Sequence, residues 1–288
     1  MGKAAHTTQM FETLDYWDGV PTEEMWWAPH VKNFRTIADF NDPIRALNAR
    51  MSEHMAPIMH GVAYDAFCIN VPQYLLYLQE KGRKMGVKVV KARLPVNAGL
   101  LKALDAANTV AKREGRRNAD CFVNATGLGA KKLCGDDAMY PIRGQTVLVK
   151  GEANATSDRF GDFSGYCIPR PGSGMTILGG TKQAGNWSEA VDPETTKQIL
   201  EKCSYLAPEL LTGPNDQFEV VSVQCGLRPG REGGARIEKE HVNDYHEEKV
   251  VHAYGHGGAG YQNSVGSARL VVQLVNEFLG TDVVQARL

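Results

Sequence analysis

Neither sign of charge dominates this chain of 288 residues: 32 Lys and Arg stand against 33 Asp and Glu, a net charge of −1. That balance excludes the strong electrostatic footprint expected of a nucleic-acid or anionic-membrane binder. The six cysteines, Cys68, Cys121, Cys134, Cys167, Cys203 and Cys225, are scattered and form no C-x-x-C. Buried free thiols in a reducing compartment fit this pattern better than disulfides or a metal site. No apolar run reaches transmembrane length. A secretory leader is not expected ahead of Asn154-Ala155-Thr156, so its match to the glycosylation pattern is given no weight. Position 6 is His6 rather than Ser or Thr, which leaves Met1-Gly2 without a myristoylation signal. Glycine is scarce at the start: residues 1–60 hold only Gly2 and Gly19, so no G-x-G-x-x-G turn lies there.

What is present describes a globular chain, 43% apolar and 23% charged, long enough for one large domain or two interleaved ones. The cluster Lys112, Arg113, Arg116 and Arg117 reads as a solvated helix end. The terminal Ala286-Arg287-Leu288 fits the small–basic–leucine pattern of a peroxisomal address, or is simply a tail.

Residues 1–60 are aromatic-rich without a clear period. From there, Asn70 is placed to cap a helix with the stripe Val71, Tyr74, Leu75 and Leu78, and Val87-Lys-Val-Val-Lys91 reads as a following strand. A looser helix is expected within 97–118. Cys121 to Thr126 reads as a buried strand entering the turn Gly127-Leu-Gly129. Strands are then expected at 146–150, 166–169, 175–179 and 218–227, spaced as in an antiparallel sheet. One helix interrupts them, opened by Asp192 as cap and Pro193 in its first turn.

Near the C-terminus, Val250 to Tyr254 runs from an apolar strand into Gly255-His-Gly-Gly-Ala-Gly260, followed by a helix from Ser267 to Phe278. Gly255-x-Gly257-x-x-Gly260 matches the dinucleotide fingerprint. Only 28 residues follow it, leaving no room for a second strand and its acidic ribose ligand. The loop therefore suits the far end of a cofactor, with a helix N-terminus aimed at an atom that becomes negative.

Six short motifs in order resemble the D-amino-acid oxidase family of flavoproteins: Val123-Asn-Ala-Thr-Gly-Leu-Gly-Ala130, Pro141-Ile-Arg-Gly-Gln145, Tyr166-Cys-Ile-Pro-Arg-Pro171, Gly179-Gly-Thr181, Gly226-Leu-Arg-Pro229 and Tyr254-Gly-His-Gly-Gly-Ala-Gly260. Gly61-Val-Ala-Tyr-Asp65 is similar to the family segment before its central helix. The resemblance implies an α/β fold in which an incomplete, Rossmann-like FAD-binding domain is interleaved with a mostly antiparallel substrate domain. Residues 61–145 with 246–288 are expected in the first, and 1–60 with 146–245 in the second. It implies oxidative deamination of D-amino acids to 2-oxo acids, with molecular oxygen reduced to peroxide, and admits a homodimer. The family's opening strand, glycine turn and helix have no counterpart in residues 1–60, so weak flavin binding is expected of the chain as written. A metabolite-tailoring oxidoreductase of the same fold and a truncated, flavin-free pseudoenzyme stand as alternatives.

The resemblance also assigns roles. Arg228 would clamp the substrate α-carboxylate through two parallel hydrogen bonds; from the residues alone, an arginine paired for structure fits equally. Tyr166 would meet the same carboxylate. Gln262, with the Gly257 and Gly258 carbonyls, would lie near the substrate amine and the flavin. Thr126, Gly127 and Gly129 would approach FAD from one strand end, and Gly257, Gly258, Ala259, Gly260 and Tyr261 from the other. Thr181 would neighbour the flavin ring. Lys182, where the D-aspartate oxidase branch tends to carry a basic residue, would select acidic D-amino acids, or is an ordinary surface lysine.

Overall fold

The computed structural model describes residues 7–19, 21, 24–37, 43–242 and 247–281. In chain order the elements are β1 (Thr8–Trp17), β2 (Lys32–Thr36), α1 (Pro43–Asn48), β3 (His60–Ile69), α2 (Val71–Lys84), α3 (Gly99–Arg113), β4 (Phe122–Asn124), α4 (Ala130–Leu133), β5 (Met139–Lys150), β6 (Thr156–Phe160), β7 (Gly165–Arg170), β8 (Met175–Gly179), β9 (Gln183–Ala184), α5 (Pro193–Ser204), β10 (Val220–Arg231), β11 (Arg236–Val242), β12 (Glu248–Tyr254) and α6 (Ser264–Leu279). They form two compact units. The first gathers residues 1–89, 144–181 and 190–226, and the second 90–143, 182–189 and 227–288. The chain is mixed α/β, as expected, and β5 and β10 run from one unit into the other.

In unit 1 the strands follow the order β10-β5-β8-β7-β6-β1-β3-β2. The β5–β8–β7–β6 and β1–β3–β2 ladders are antiparallel, while β1 and β6 pair in parallel. One sheet face packs Tyr16, Val147, Val149, Cys167 and Leu178 with Ile199, Cys203 and Leu206 from α5 and its exit. Alternation sets this: Gly165, Cys167 and Pro169 of β7 are buried, and the intervening Tyr166, Ile168 and Arg170 face the other side, half-buried. Helix α5 starts as its sequence requires. Asp192 accepts from the Thr195 N–H at 3.0 Å, with Pro193 in the first turn.

In unit 2 a three-stranded sheet runs β11-β12-β4, with β12 parallel to β4 and antiparallel to β11. Ala130, Met139 and Tyr254 form its core. Of the stripe expected on α6, Val271, Leu274, Val275 and Phe278 are half-buried but Leu270 is exposed, as are Val265, Val272 and Leu279. Helix α3 ends in the expected solvated basic segment, where Arg117 grips Asp120 with two bonds of 2.6 and 2.7 Å.

Three expectations are corrected. Residues 87–91 form no strand and are exposed, because no neighbouring strand among the described residues completes a ladder there. Asn70 stands at the start of α2, but its amide donates to the Pro171 carbonyl at 3.0 Å and makes no cap. The domain boundaries also differ from those expected. Residues 61–89 fall in unit 1, since β3 pairs along its whole length with β1; residues 227–242 fall in unit 2, since β11 pairs with β12. None of the six cysteines forms a disulfide. No helix among the described residues is long and apolar enough to cross a membrane. The terminal Ala286-Arg287-Leu288 lies outside the described residues.

Candidate functional site

The two glycine turns are built alike and lie side by side. Parallel β4 and β12 share the register Val250↔Phe122, Val251↔Val123 and His252↔Asn124, so both chains leave the sheet at the same end. Each then makes a one-turn 3₁₀ helix, Gly127–Gly129 and Gly257–Ala259, before α4 and α6 respectively. Gly127 and Gly257 carry φ of 55° and 57°, the left-handed region that glycine enters without cost. A Cβ on Gly127 would meet Pro229 at 3.8 Å, and one on Gly258 would meet Arg228 Cδ at 4.0 Å. Consecutive residues of β10 thus pack against both turns.

A buried polar chain holds the turns in place. The Asn124 carboxamide oxygen accepts from the Thr126 N–H at 3.3 Å and its hydroxyl at 2.7 Å. That fixes the amide orientation, so Asn124 Nδ2 donates to His252 Nδ1 at 3.1 Å and His252 Nε2–H donates to Glu240 at 2.9 Å. His252 is fully buried, and burial, then the Arg236 charge, press its pKa down against the pull of Glu240. The ring is the neutral Nε2–H tautomer. Arg236 in turn pairs with Glu238 and Glu240, at 2.6 and 2.7 Å, and donates to the Tyr254 hydroxyl at 2.9 Å. Tyr254 donates to Asp136, which Arg231 also binds at 2.9 Å. Burial alone would raise the Asp136 carboxyl, but these bonds hold it below its ordinary value.

The residues picked out by sequence fall as follows. Thr126, Gly127, Gly129, Gly257, Gly258, Ala259, Gly260, Tyr261, Gln262, Lys182 and Arg228 belong to unit 2, and Tyr166 and Thr181 to unit 1. Arg228 is half-buried. Gln262 and Tyr261 are exposed beyond the second turn, and Lys182 is exposed with no ion pair among the described residues. The Thr181 hydroxyl accepts from the Gln145 N–H at 2.9 Å, so it braces β5. The Tyr166 ring lies across Gly179: a Cβ there would come within 1.9 Å of ring carbon Cζ. Only glycine admits the tyrosine. Arg143 and Gln145 are buried anchors. Arg143 donates to Ser188 O and Gln183 Oε1, while Gln145 exchanges bonds with the Asp192 backbone and binds Thr196.

The Asn124–His252–Glu240 chain escaped the sequence reading. Its one signal was a histidine inside an apolar strand, Val250-Val251-His252-Ala253-Tyr254, where burial demands partners.

A pair of glycine turns at the ends of parallel strands, one opening a 16-residue helix, defines a nucleotide-cofactor protein of mixed α/β class. The family model for FAD dependent oxidoreductases matches residues 24–274. The chain is 33% identical to a D-amino-acid oxidase of Fusarium vanettenii over 94% of its length and 71% of that protein's. It is 35% identical to a D-aspartate oxidase of Talaromyces thermophilus over 93% of this chain and 66% of that one. Among solved structures, glycine oxidase from Geobacillus kaustophilus superposes with a TM-score of 0.61 at 20% identity, covering 93% of this chain and 71% of that one. The chain belongs to the FAD-dependent oxidoreductase family that includes the D-amino-acid oxidases. It spans 64–71% of the length of the curated relatives it matches.

FAD is the family's cofactor, and the unit 2 turns fit part of it. Both bring backbone amides to the end of the sheet, and glycine at 127, 129, 257 and 258 adds no side chain of its own to either turn. Thr126, Gly127 and Gly129 would hold it from one turn, and Gly257 through Gln262 from the other.

Proposed function

We propose that this chain carries the substrate and flavin-contacting elements of an oxidase that deaminates D-amino acids to 2-oxo acids, releasing ammonia and hydrogen peroxide. The observation that carries the reading is Arg228, a half-buried residue within β10 whose stem packs against the Gly258 turn. A planar guanidinium in that place binds a substrate α-carboxylate with two parallel bonds and so sets the angle at which Cα–H is presented. FAD held by these turns would supply the two-electron acceptor, with molecular oxygen as the final oxidant. The helix N-terminus of α6 favours negative charge at the turn that precedes it.

The test is peroxide formation with D-alanine and L-alanine, in the wild type and Arg228→Ala. We expect turnover of the D-enantiomer alone, and a loss of kcat/KM in the variant equivalent to roughly 2–5 kcal/mol, as when a buried charge loses its partner. Unchanged kinetics would remove the clamp and the amino-acid assignment with it.

The finer preference for acidic D-amino acids rests on Lys182, whose ammonium is exposed and without an ion pair among the described residues. Lys182→Met should cost D-aspartate roughly 1.5–3 kcal/mol while sparing D-alanine. Equal losses on both substrates would end the selectivity role. We propose peroxisomal delivery from Ala286-Arg287-Leu288; a fluorescent fusion that stays peroxisomal after removal of the tripeptide would refute it. A homodimer is proposed as the assembly, to be read from the solution mass.

A further inference from the structure

Four neighbouring strands of unit 1 bring an unusual set of polar groups onto one sheet face, opposite the apolar core. Asp158 of β6 stands directly across from Asp15 of β1 on one side and from Tyr166 of β7 on the other. The antiparallel Asp158–Tyr166 pair holds its Cβ atoms about 4.5–5.5 Å apart. Thr13, two residues before Asp15, shares its face and lies between Thr156 and Tyr64. Tyr64 donates to Asp15 Oδ2 at 3.1 Å, and Trp27 packs on the Tyr64 ring at a centroid distance of 4.8 Å.

The set is short of donors. The Asp158 carboxyl makes no hydrogen bond to any described residue, and the charge acting on it is a second carboxylate, Asp15. Burial, with Asp15 adding to it, pushes the Asp158 carboxyl up to about 7; burial pushes Asp15 up to about 6, against the Tyr64 hydrogen bond. Independently, the Thr13 hydroxyl is buried, on a residue only 4% exposed, and has no partner. No cation among the described residues answers the two carboxylates.

We propose that Asp158 and Asp15, floored by Thr13 and flanked by the Tyr64, Trp27 and Tyr166 rings, form a subsite for an organic ammonium group. Carboxylates combined with aromatic faces recognise alkylammonium ions through charge, hydrogen bonding and the ring quadrupoles. Asp158, half-buried rather than sealed, is the point of entry. That the ammonium belongs to a D-amino acid with a basic side chain rests on the function proposed above. Asp158 adjoins Tyr166, the residue expected to meet a substrate carboxylate, so a second carboxylate is repelled there and a cation held. This charge preference is opposite in sign to the one drawn from Lys182, and each has its own variant.

The experiment measures binding of n-butylamine, with butyrate as the anionic control, to the 288-residue chain by calorimetry. Wild type should bind the amine saturably and not butyrate, and Asp158→Asn should weaken the amine at least tenfold. The exposed-acid control Asp162→Asn should leave it unchanged. Asp15→Asn gives a second, independent reading should Asp158→Asn fail to fold, judged by circular dichroism. Where turnover is measured, Asp158→Asn should lower kcat/KM for D-lysine at least tenfold more than it lowers kcat/KM for D-alanine. No saturable amine binding, or equal binding by wild type and the folded variants, overturns the subsite. Amine binding that is lost in Asp158→Asn, in a protein that oxidises no D-amino acid, would keep the subsite and overturn the proposed function.

Discussion

The polar groups inside unit 2 and those on the sheet face of unit 1 differ in one respect: whether they are answered. In unit 2, His252 uses both ring nitrogens, Asn124 uses its oxygen and its amide, and Arg236 meets two carboxylates and a hydroxyl. In unit 1, the Thr13 hydroxyl has no partner and Asp158 faces another carboxylate. A buried polar group that is satisfied stiffens a scaffold, whereas an unsatisfied one costs stability. The unit 2 chain therefore reads as the frame that positions the two glycine turns, and the unit 1 row as a surface prepared for something else.

The largest expected effect breaks the satisfied side of this comparison. Asn124→Leu keeps the volume but strips the donor from fully buried His252 and the acceptor from exposed Thr126, leaving the His252 Nδ1 atom buried without a partner. Denaturant unfolding should show a loss of about 2–3 kcal/mol. A loss under 1 kcal/mol would mean that the chain from Glu240 to Thr126 is no frame.

The next effect lies on the unanswered side and is visible in pH. Asp158 titrates at about 7 in the folded chain, against an ordinary value of 3.8. A raised folded-state pKa means that the folded state binds the proton more tightly than the unfolded state. The associated stability is thus fully present below pH 4 and is lost as pH rises to 7; Asp15 adds a loss between pH 4 and 6. Asp158→Asn should remove most of the Asp158 part, flattening the profile by roughly 2 kcal/mol and making the variant more stable than wild type at pH 8. Parallel pH profiles for the two proteins would show that Asp158 is solvated or paired.

The smallest effect sharpens the contrast at a single atom. Thr13→Val exchanges an unpartnered hydroxyl for a methyl group of the same shape, and should raise stability by about 0.5–1.5 kcal/mol. A decrease would show that the hydroxyl has a partner in solution, and would remove one support of the ammonium subsite.

Much of the local structure was legible because each signal has a short-range cause. Asp192-Pro193 opens α5 because a carboxylate accepts an orphan amide and proline fits a first turn. The strands at 166–169 and 175–179, and the glycine turns at 127 and 257, follow from alternation and from backbone angles that glycine alone adopts freely. The reading failed where a partner far along the chain decides. Val87 to Lys91 has strand composition but no neighbour to pair with, and Asn70 turned from its own helix to the Pro171 carbonyl, 101 residues away. The division into units moved because β3 belongs with β1, a pairing that no local pattern encodes.

By itself the sequence determined the class of chain and the chemistry on offer: six ordered motifs, an arginine at a strand end, and glycines at the two strand-to-helix turns. Only the tertiary structure decided which residues meet. It set Gly258 against Arg228 and Gly127 against Pro229, it closed the Asn124–His252–Glu240 chain across 128 residues, and it brought Asp15 opposite Asp158. The physical reason is that hydrogen bonding, desolvation and charge repulsion depend on distances of a few ångströms. Sequence spacing controls those distances within one helix or strand, and register between strands controls them everywhere else.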